Sequence, residues 1–299
     1  MLPETGKLGP KRQAQAQRLA VLAQAMDVEI LAHFYQRAEV KALAGFVGGS
    51  AGLYRAALES KARALMVCGV DFLAQAIGRL RPDLPILVPR RDAGCPFSQT
   101  VGPGEVDLLR REHPGCLLVA DLKASGPVRD LCDLSLDVPG GWPVSAAGET
   151  VLVLPALSAG NPAAMGHMGW PGALCQVHFQ ITAGEVEETL RSLPGARLAV
   201  NSLCRPEVRR MADFVGDSQS IHDYCRRAPR GEYLVVCESG LAESLRLSFP
   251  EGRFLETETE IFCPNMKLTN IKDMLACLEA LGGARAAGTG QEIAAEAGR

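Results

Sequence analysis

Residues Pro89–Val101, PRRDAGCPFSQTV, decide how the chain is to be read. They follow a short apolar stretch, Leu84–Val88, and place Cys95 in a loop flanked by glycine and proline. Two more cysteines stand in comparable places, Cys175 in WPGALCQVHF and Cys263 in TEIFCPNMK, at intervals of about 80 and about 88 residues. Intervals of that length are the scale of a small domain.

Upstream of Cys95 the pattern predicts a lead-in helix, Lys11–Met26, and a strand from Val28 to Ala32 that ends in HFYQ. Helices are expected at Ala38–Val47 and Ser50–Ser60, a strand at Ala64–Val70, a helix at Asp71–Leu80 and a strand at Leu84–Val88. The same order returns twice. Strands are expected near Cys116–Leu122, Val151–Leu154 and Leu174–Val177, then near Arg197–Ser202, Tyr233–Cys237 and Arg253–Glu256. Equivalent strands lie about 85 residues apart, which predicts a βαβαβ unit repeated three times. The fold class is α/β, with parallel three-layer sheets whose ligands gather beyond the carboxyl ends of the strands.

The chain has 299 residues, 47% hydrophobic and 22% charged, enough for one large core or several small ones. A net charge of −3 gives no reason to expect nucleic acid or a membrane surface as partner. No basic-then-apolar leader or membrane-length apolar run is visible, so the expected location is cytoplasmic. In that reducing setting ten cysteines do not suggest disulfides. They suggest buried small side chains, redox thiols or metal ligands. Cys68, Cys116 and Cys237, in or beside apolar strands, are expected to be fillers.

If the three units face one another around a pseudo-threefold axis, Cys95, Cys175 and Cys263 can converge. Three thiolates suit an iron–sulfur cluster that leaves one iron without a protein ligand, free to act as a Lewis acid. Zinc is the competing metal, yet structural zinc sites usually pair ligands as CxxC, and no such pair occurs here. His178, three residues after Cys175, is a ligand, a substrate contact or a histidine satisfied in the interior.

At this point the motifs resemble those of the quinolinate synthases, over roughly Val28–Leu281. ILAHFYQ is similar to the family's opening strand, GGS at Gly48–Ser50 to its GDS, and CGVDFLAQAIGRLRPDLPILVP followed by AGC to its next strands and first cluster cysteine. WPGALCQVH and CPNMK are similar to the segments that carry the other two. The resemblance implies three αβα domains in pseudo-threefold array, here 1–92, 93–178 and 179–263. A C-terminal segment, 264–285 with a helix at Thr269–Leu281, would complete the first domain, and 286–299 would be a mobile tail. It also implies a 4Fe-4S cluster held by Cys95, Cys175 and Cys263, with His33, Tyr35, Ser50, His178 and Ser218 at the substrate. The family condenses iminoaspartate with dihydroxyacetone phosphate and dehydrates the product.

The departures concentrate at substrate positions. The family's His-Pro-Glu-Cys falls on Asn201, Ser202, Leu203 and Cys204, so Leu203 stands where the acid–base glutamate belongs and cannot move a proton. The family's Tyr-x-Asn falls on Asp121 and Lys123, its serine-containing loop has become LDVPGGW at Leu136–Trp142, and its Pro-Asp is Pro155-Ala156. Asp121 and Lys123 therefore join His33 and Tyr35 as expected catalytic residues, the lysine for a carboxylate or phosphate and the aspartate as base. The expected activity is dehydration or condensation of a small anionic metabolite at an open iron, on a substrate other than the family's own. Sulfur transfer from iron-bound hydrosulfide, and a noncatalytic cluster carrier or redox sensor, stay open. An enzyme that supplies an unstable substrate or sulfur is the expected partner.

Overall fold

The structure, a computed structural model, describes residues 9–135, 151–154, 167–169 and 174–286. The Leu136–Trp142 loop, Pro155–Ala156, Trp170 and the tail from 287 onward lie outside the described residues. The chain divides into two compact units. One holds the first sheet with the C-terminal segment, and the other holds the second and third sheets.

In the first unit, helix α1 (Pro10–Ala25) leads to strand β1 (Val28–His33), helix α2 (Ala38–Lys41) and strand β2 (Phe46–Gly48). Helix α3 (Ser50–Glu59), strand β3 (Ala64–Cys68), helix α4 (Asp71–Leu80) and strand β4 (Ile86–Leu87) follow. The strands form a parallel sheet in the order β2-β1-β3-β4. Every residue of ALMVC in β3 is buried, the mark of a parallel strand covered on both faces. Helix α1 turns Ala16, Leu19 and Ala23 inward, one stripe of helical period. These meet Met274, Leu278 and Leu281 of the last helix, α12 (Ile271–Ala286), in a single apolar core with β1 and β3. The C-terminal helix thus completes the core of the first sheet and runs to Ala286, past the Leu281 expected from the sequence.

The second unit holds two further sheets. Helix α5 (Pro103–Glu112), β5 (Leu117–Ala120), α6 (Gly126–Leu131), β6 (Leu134–Ser135), β7 (Val151–Leu154) and β8 (His167–Gly169) give a sheet ordered β6-β5-β7-β8. After α7 (Gln176–Phe179) and α8 (Ala183–Arg191) come β9 (Arg197–Asn201), α9 (Pro206–Met211), β10 (Phe214–Gly216), α10 (Ser218–Arg226), β11 (Glu232–Val236), α11 (Ser239–Ser248) and β12 (Arg253–Leu255). Their sheet runs β10-β9-β11-β12. All pairings are parallel, and the three strand orders are the same.

Two expectations are corrected. Ala38–Val47 is not one helix, because α2 stops at Lys41 and Phe46–Gly48 pairs with β1 as an edge strand. Leu174–Val177 is not a strand. The last strand of the second sheet is His167–Gly169, and Gln176–Phe179 forms a helical turn with Cys175 at its N-cap. A short apolar run carries no periodicity long enough to separate the two states. Of the cysteines expected as fillers, Cys68 and Cys237 are buried and Cys116 is partly buried against the core of the second sheet.

Candidate active site

The turn after the first strand of each sheet is built the same way. In the first, His33 ends β1 and its Nδ1 accepts the Tyr35 N–H at 3.2 Å, while the Gln36 N–H reaches the His33 carbonyl at 2.9 Å. In the second, Asp121 Oδ1 accepts the Lys123 N–H at 2.9 Å, and the Ala124 N–H reaches the Asp121 carbonyl at 2.9 Å. In the third, Asn201 Oδ1 accepts the Leu203 N–H at 3.0 Å, and the Cys204 N–H reaches the Asn201 carbonyl at 2.9 Å. His33, Asp121 and Asn201 are thus equivalent, as are Tyr35, Lys123 and Leu203. An acceptor side chain that satisfies the N–H two residues on is a local turn device. It also fixes chemistry: with Nδ1 accepting, the His33 ring carries its proton on Nε2.

The residues so placed differ between repeats. His33 and Tyr35 are buried with their rings edge to face, centroids 4.4 Å apart. Asp121 is buried and its carboxylate lies 3.8 Å from the Lys123 ammonium, so the local ion pair is real. The Lys123 charge nevertheless acts beyond its partner, favouring the Cys175 thiolate and opposing protonation of His178. Arg129 holds the turn from below, donating to the carbonyls of Asp121 and Ala124 at 2.9 and 3.1 Å. In the third turn Leu203 offers no polar atom. Ser50 and Ser218 both begin the helix that follows the edge strand, α3 and α10, so they too are equivalent. Behind Ser218 a Cβ on Gly216 would lie 2.8 Å from the Ser220 Cβ, a close approach that keeps this position glycine.

Cys95, Cys175 and Cys263 are all partly exposed, whereas Cys204 and Cys225 are buried. Burial pushes the Cys225 thiol up to about 12 and the Cys204 thiol further still. The Cys204 S–H points to the Val236 carbonyl at 3.7 Å, the disposition of a filler. Cys95 lies in a loop tied down by Asp71, whose carboxylate accepts the N–H of Phe72 at 2.8 Å and that of Cys95. Burial still raises the Asp71 carboxyl against those donors. Asn265 Nδ2 donates to the carbonyl of Gly94 at 2.6 Å, holding the same loop from the C-terminal segment. Cys263 is held in the manner of Cys95: the fully buried Glu238 accepts the Gly240 N–H at 2.8 Å and the Cys263 N–H at 3.4 Å.

Cys175 is surrounded differently. Its sulfur accepts the backbone N–H groups of Val177 and His178, and His178 Nδ1 lies 3.3 Å away. Burial pushes the Cys175 thiol up, and those donors with Lys123 pull it back. His178 is buried, and burial lowers its pKa to about 3, so the ring is neutral. Its Nε2 faces the sulfur of Cys237 at 3.7 Å. Of the interior, substrate and ligand roles open to His178, its burial beside two sulfurs agrees with a histidine satisfied in the interior.

Gln36 closes the ILAHFYQ motif. It is fully buried, and neither its Oε1 nor its Nε2 has a hydrogen-bond partner. Among the described residues no group of three or more His, Cys, Asp and Glu is placed to hold a metal ion, and no helix is long and apolar enough to cross a membrane.

These features define an α/β protein of repeated parallel sheets that carries its chemistry-bearing side chains and cysteine loops beyond the strand ends. Comparison with known proteins supplies the family. Residues 17–298 match the family model described as Quinolinate synthetase A protein. A quinolinate synthase of Geobacter metallireducens is 31% identical over 268 residues, covering 88% of each chain. Those of Geotalea uraniireducens and Methanoregula boonei are 30% identical over 258 residues and 32% over 248, covering 84% of both chains in the first case and 81% and 82% in the second. The chain belongs to the quinolinate synthase family.

Proposed function

We propose that the protein is an iron–sulfur enzyme of the quinolinate synthase type, acting on a small anionic substrate other than iminoaspartate plus dihydroxyacetone phosphate. The observation that carries this reading is the unequal furnishing of three equivalent turns. One bears the His33–Tyr35 pair, one bears Asp121 and Lys123 beside Cys175, and one ends in Leu203 where the family's acid–base glutamate belongs.

Cys95, Cys175 and Cys263 are the residues that would hold a 4Fe-4S cluster. Each is partly exposed, and although burial raises the Cys175 thiol, two backbone N–H groups and the Lys123 charge act against that rise and favour the thiolate a ligand must be. When bound, such a cluster supplies a Lewis-acidic iron that favours loss of water. The protein's own groups do the rest. Lys123 pairs with a substrate carboxylate or phosphate, and Asp121 receives a proton or holds an ammonium. His33 donates from Nε2, Tyr35 moves a proton, and Ser50 and Ser218 orient the substrate with their hydroxyls. Such an enzyme belongs in the cytoplasm, close to the enzyme that makes its substrate.

The test is iron and acid-labile sulfide per chain in protein purified without oxygen, followed by visible spectra during titration with small dicarboxylates and phosphate esters. About four of each per chain is expected, with a spectral response to an anion that Lys123→Met weakens at least about tenfold, the scale of one charge-assisted contact. Protein that binds no iron after reconstitution, or quinolinate formation at the rate of an ordinary family member, would sink the reading.

A further inference from the structure

Helices α2, α6 and α9 each begin five positions after His33, Asp121 or Asn201, and their N-cap residues are Arg37, Ser125 and Arg205. The three N-caps share one backbone conformation, with φ of −57, −64 and −53° and ψ of 148, 156 and 145°. None of the three side chains caps its own helix. The two arginines reach elsewhere, and in the same manner. Arg37 Nε donates to the Lys267 carbonyl at 2.6 Å, and Arg205 Nε donates to the Phe179 carbonyl at 2.6 Å. Lys267 and Phe179 each stand four residues past a cysteine, Cys263 and Cys175. Each also closes the single turn behind that cysteine: the Lys267 N–H reaches the Pro264 carbonyl at 3.0 Å, and the Phe179 N–H reaches the Cys175 carbonyl at 2.9 Å. The Arg205 guanidinium lies over the Phe179 ring as well, 4.2 Å from its centroid. An arginine Nε–H can only donate and a carbonyl can only accept, so the direction of both bonds is fixed.

We propose that Arg37 and Arg205 are latches, positioning residues that tie the first turn of one sheet to the short turn behind a cysteine, Arg37 behind Cys263 and Arg205 behind Cys175. The inference deepens the reading of these cysteines as cluster ligands and rests on it in one respect: the latched turns then follow metal-bound sulfurs. A turn of three or four residues has too few hydrogen bonds of its own to hold its shape. A charge-assisted donor from outside decides where it stays. Arg37 follows Tyr35 by two positions and Arg205 follows Leu203 by two, so each latch joins one of the three equivalent turns to a cysteine segment. A shift of the turn is thereby passed to the segment. The Cys95 loop is the exception. Ser125, which is too short for such a reach, stands at the N-cap of α6, and Asn265 holds the Cys95 loop through the Gly94 carbonyl.

Two readouts on the full-length protein test this. Arginine Nε and glutamine Nε2 stand the same number of bonds from the backbone, so Arg205→Gln keeps a donor in place, whereas Arg205→Met keeps the length and loses the donor. The first readout is hydrogen exchange at single amides, followed by NMR in cluster-free protein. Arg205→Met should speed exchange of the Phe179 N–H about tenfold, the scale of one charge-assisted bond. Arg37→Met should speed the Lys267 N–H by less, because that bond is exposed to water. Arg205→Gln and Arg37→Gln should stay within about threefold of wild type, as a neutral donor is weaker but present. The Met66 and Val236 amides, in the inner strands β3 and β11, should keep their rates in every variant. The second readout is the rate at which a chelator strips iron from reconstituted protein, expected to rise about tenfold in Arg205→Met and to stay near wild type in Arg205→Gln. An unchanged Phe179 amide in Arg205→Met, an equal rise in the inner strands, or a rise that Arg205→Gln shares overturns the latch. Faster exchange with unchanged iron loss overturns its effect on the cysteine. Wild-type protein that takes up no iron overturns the cluster reading instead, and exchange alone then decides the latch.

Discussion

The backbone N–H groups of Cys95 and Cys263 are tied to a carboxylate, and at Cys175 hydrogen-bond donors meet the sulfur. In the first and third sheets a carboxylate near the start of the helix after the third strand, Asp71 or Glu238, satisfies N–H groups of its own helix and reaches across to the N–H of the cysteine. In the second sheet the cysteine in question is Cys175. There the donors converge on the thiol itself. The repeats share a strand order, and the bonds described at their cysteines are of two kinds. Backbone anchoring sets where a sulfur sits, whereas donors to the sulfur set how electron-rich it is.

The comparison breaks first on the cysteines. Cys95→Ala, Cys175→Ala and Cys263→Ala should each abolish iron and sulfide uptake, while Cys204→Ala, which removes a buried filler, should retain both; a full cluster in any of the first three variants ends the assignment. Next comes the third turn. Leu203→Glu alone should yield no quinolinate above background in an anaerobic assay with iminoaspartate and dihydroxyacetone phosphate, because Asp121 and Lys123 still furnish the second turn. Robust product from that one change would mean the site was never rebuilt.

Smaller effects separate the two modes of anchoring. Glu238→Ala leaves the N–H groups of Gly240 and Cys263 without their acceptor, and should cost about 1–3 kcal/mol of stability in denaturant unfolding. Asp71→Ala should cost less, since Asp71 is only partly buried; equal losses would show that burial does not grade the clamp. The smallest change is expected at Gln36. Its amide is buried with both polar atoms unpartnered, so Gln36→Leu should be neutral or stabilising by up to about 1 kcal/mol. A clear loss in the same unfolding experiment would show that the amide does find a partner in solution.

Much of the scaffold could be read in the sequence because buried parallel strands are apolar throughout and their helices keep a 3.6-residue period. Val151–Leu154 and Asp71–Leu80 fell where the pattern placed them. Phe46–Gly48 and Phe214–Gly216 did not announce themselves, since three residues are too few for either period. Around Cys175 the alternation of ALCQVH suits a strand or a helical turn equally, and the choice was made by tertiary structure. Candidate residues were legible where they stand in one motif, as His33 and Tyr35 do. The equivalence of His33, Asp121 and Asn201 was not, because it depends on strand register and on bonds within turns of unlike composition. The link from His178 to Cys237 was also hidden, for it spans 59 positions and leaves no trace in local spacing.

The pairing of α1 with α12 has a consequence for the order of manufacture. The first sheet leaves the ribosome before the other two, yet its core includes Ile271, Met274 and Leu278, which are made after both. At ordinary synthesis speeds the nascent chain waits on the order of ten seconds between the two. Meanwhile the apolar face destined for α12 has no cover, while each later sheet closes from residues nearer at hand. Of the three sheets, the one made first is therefore the one whose core closes last.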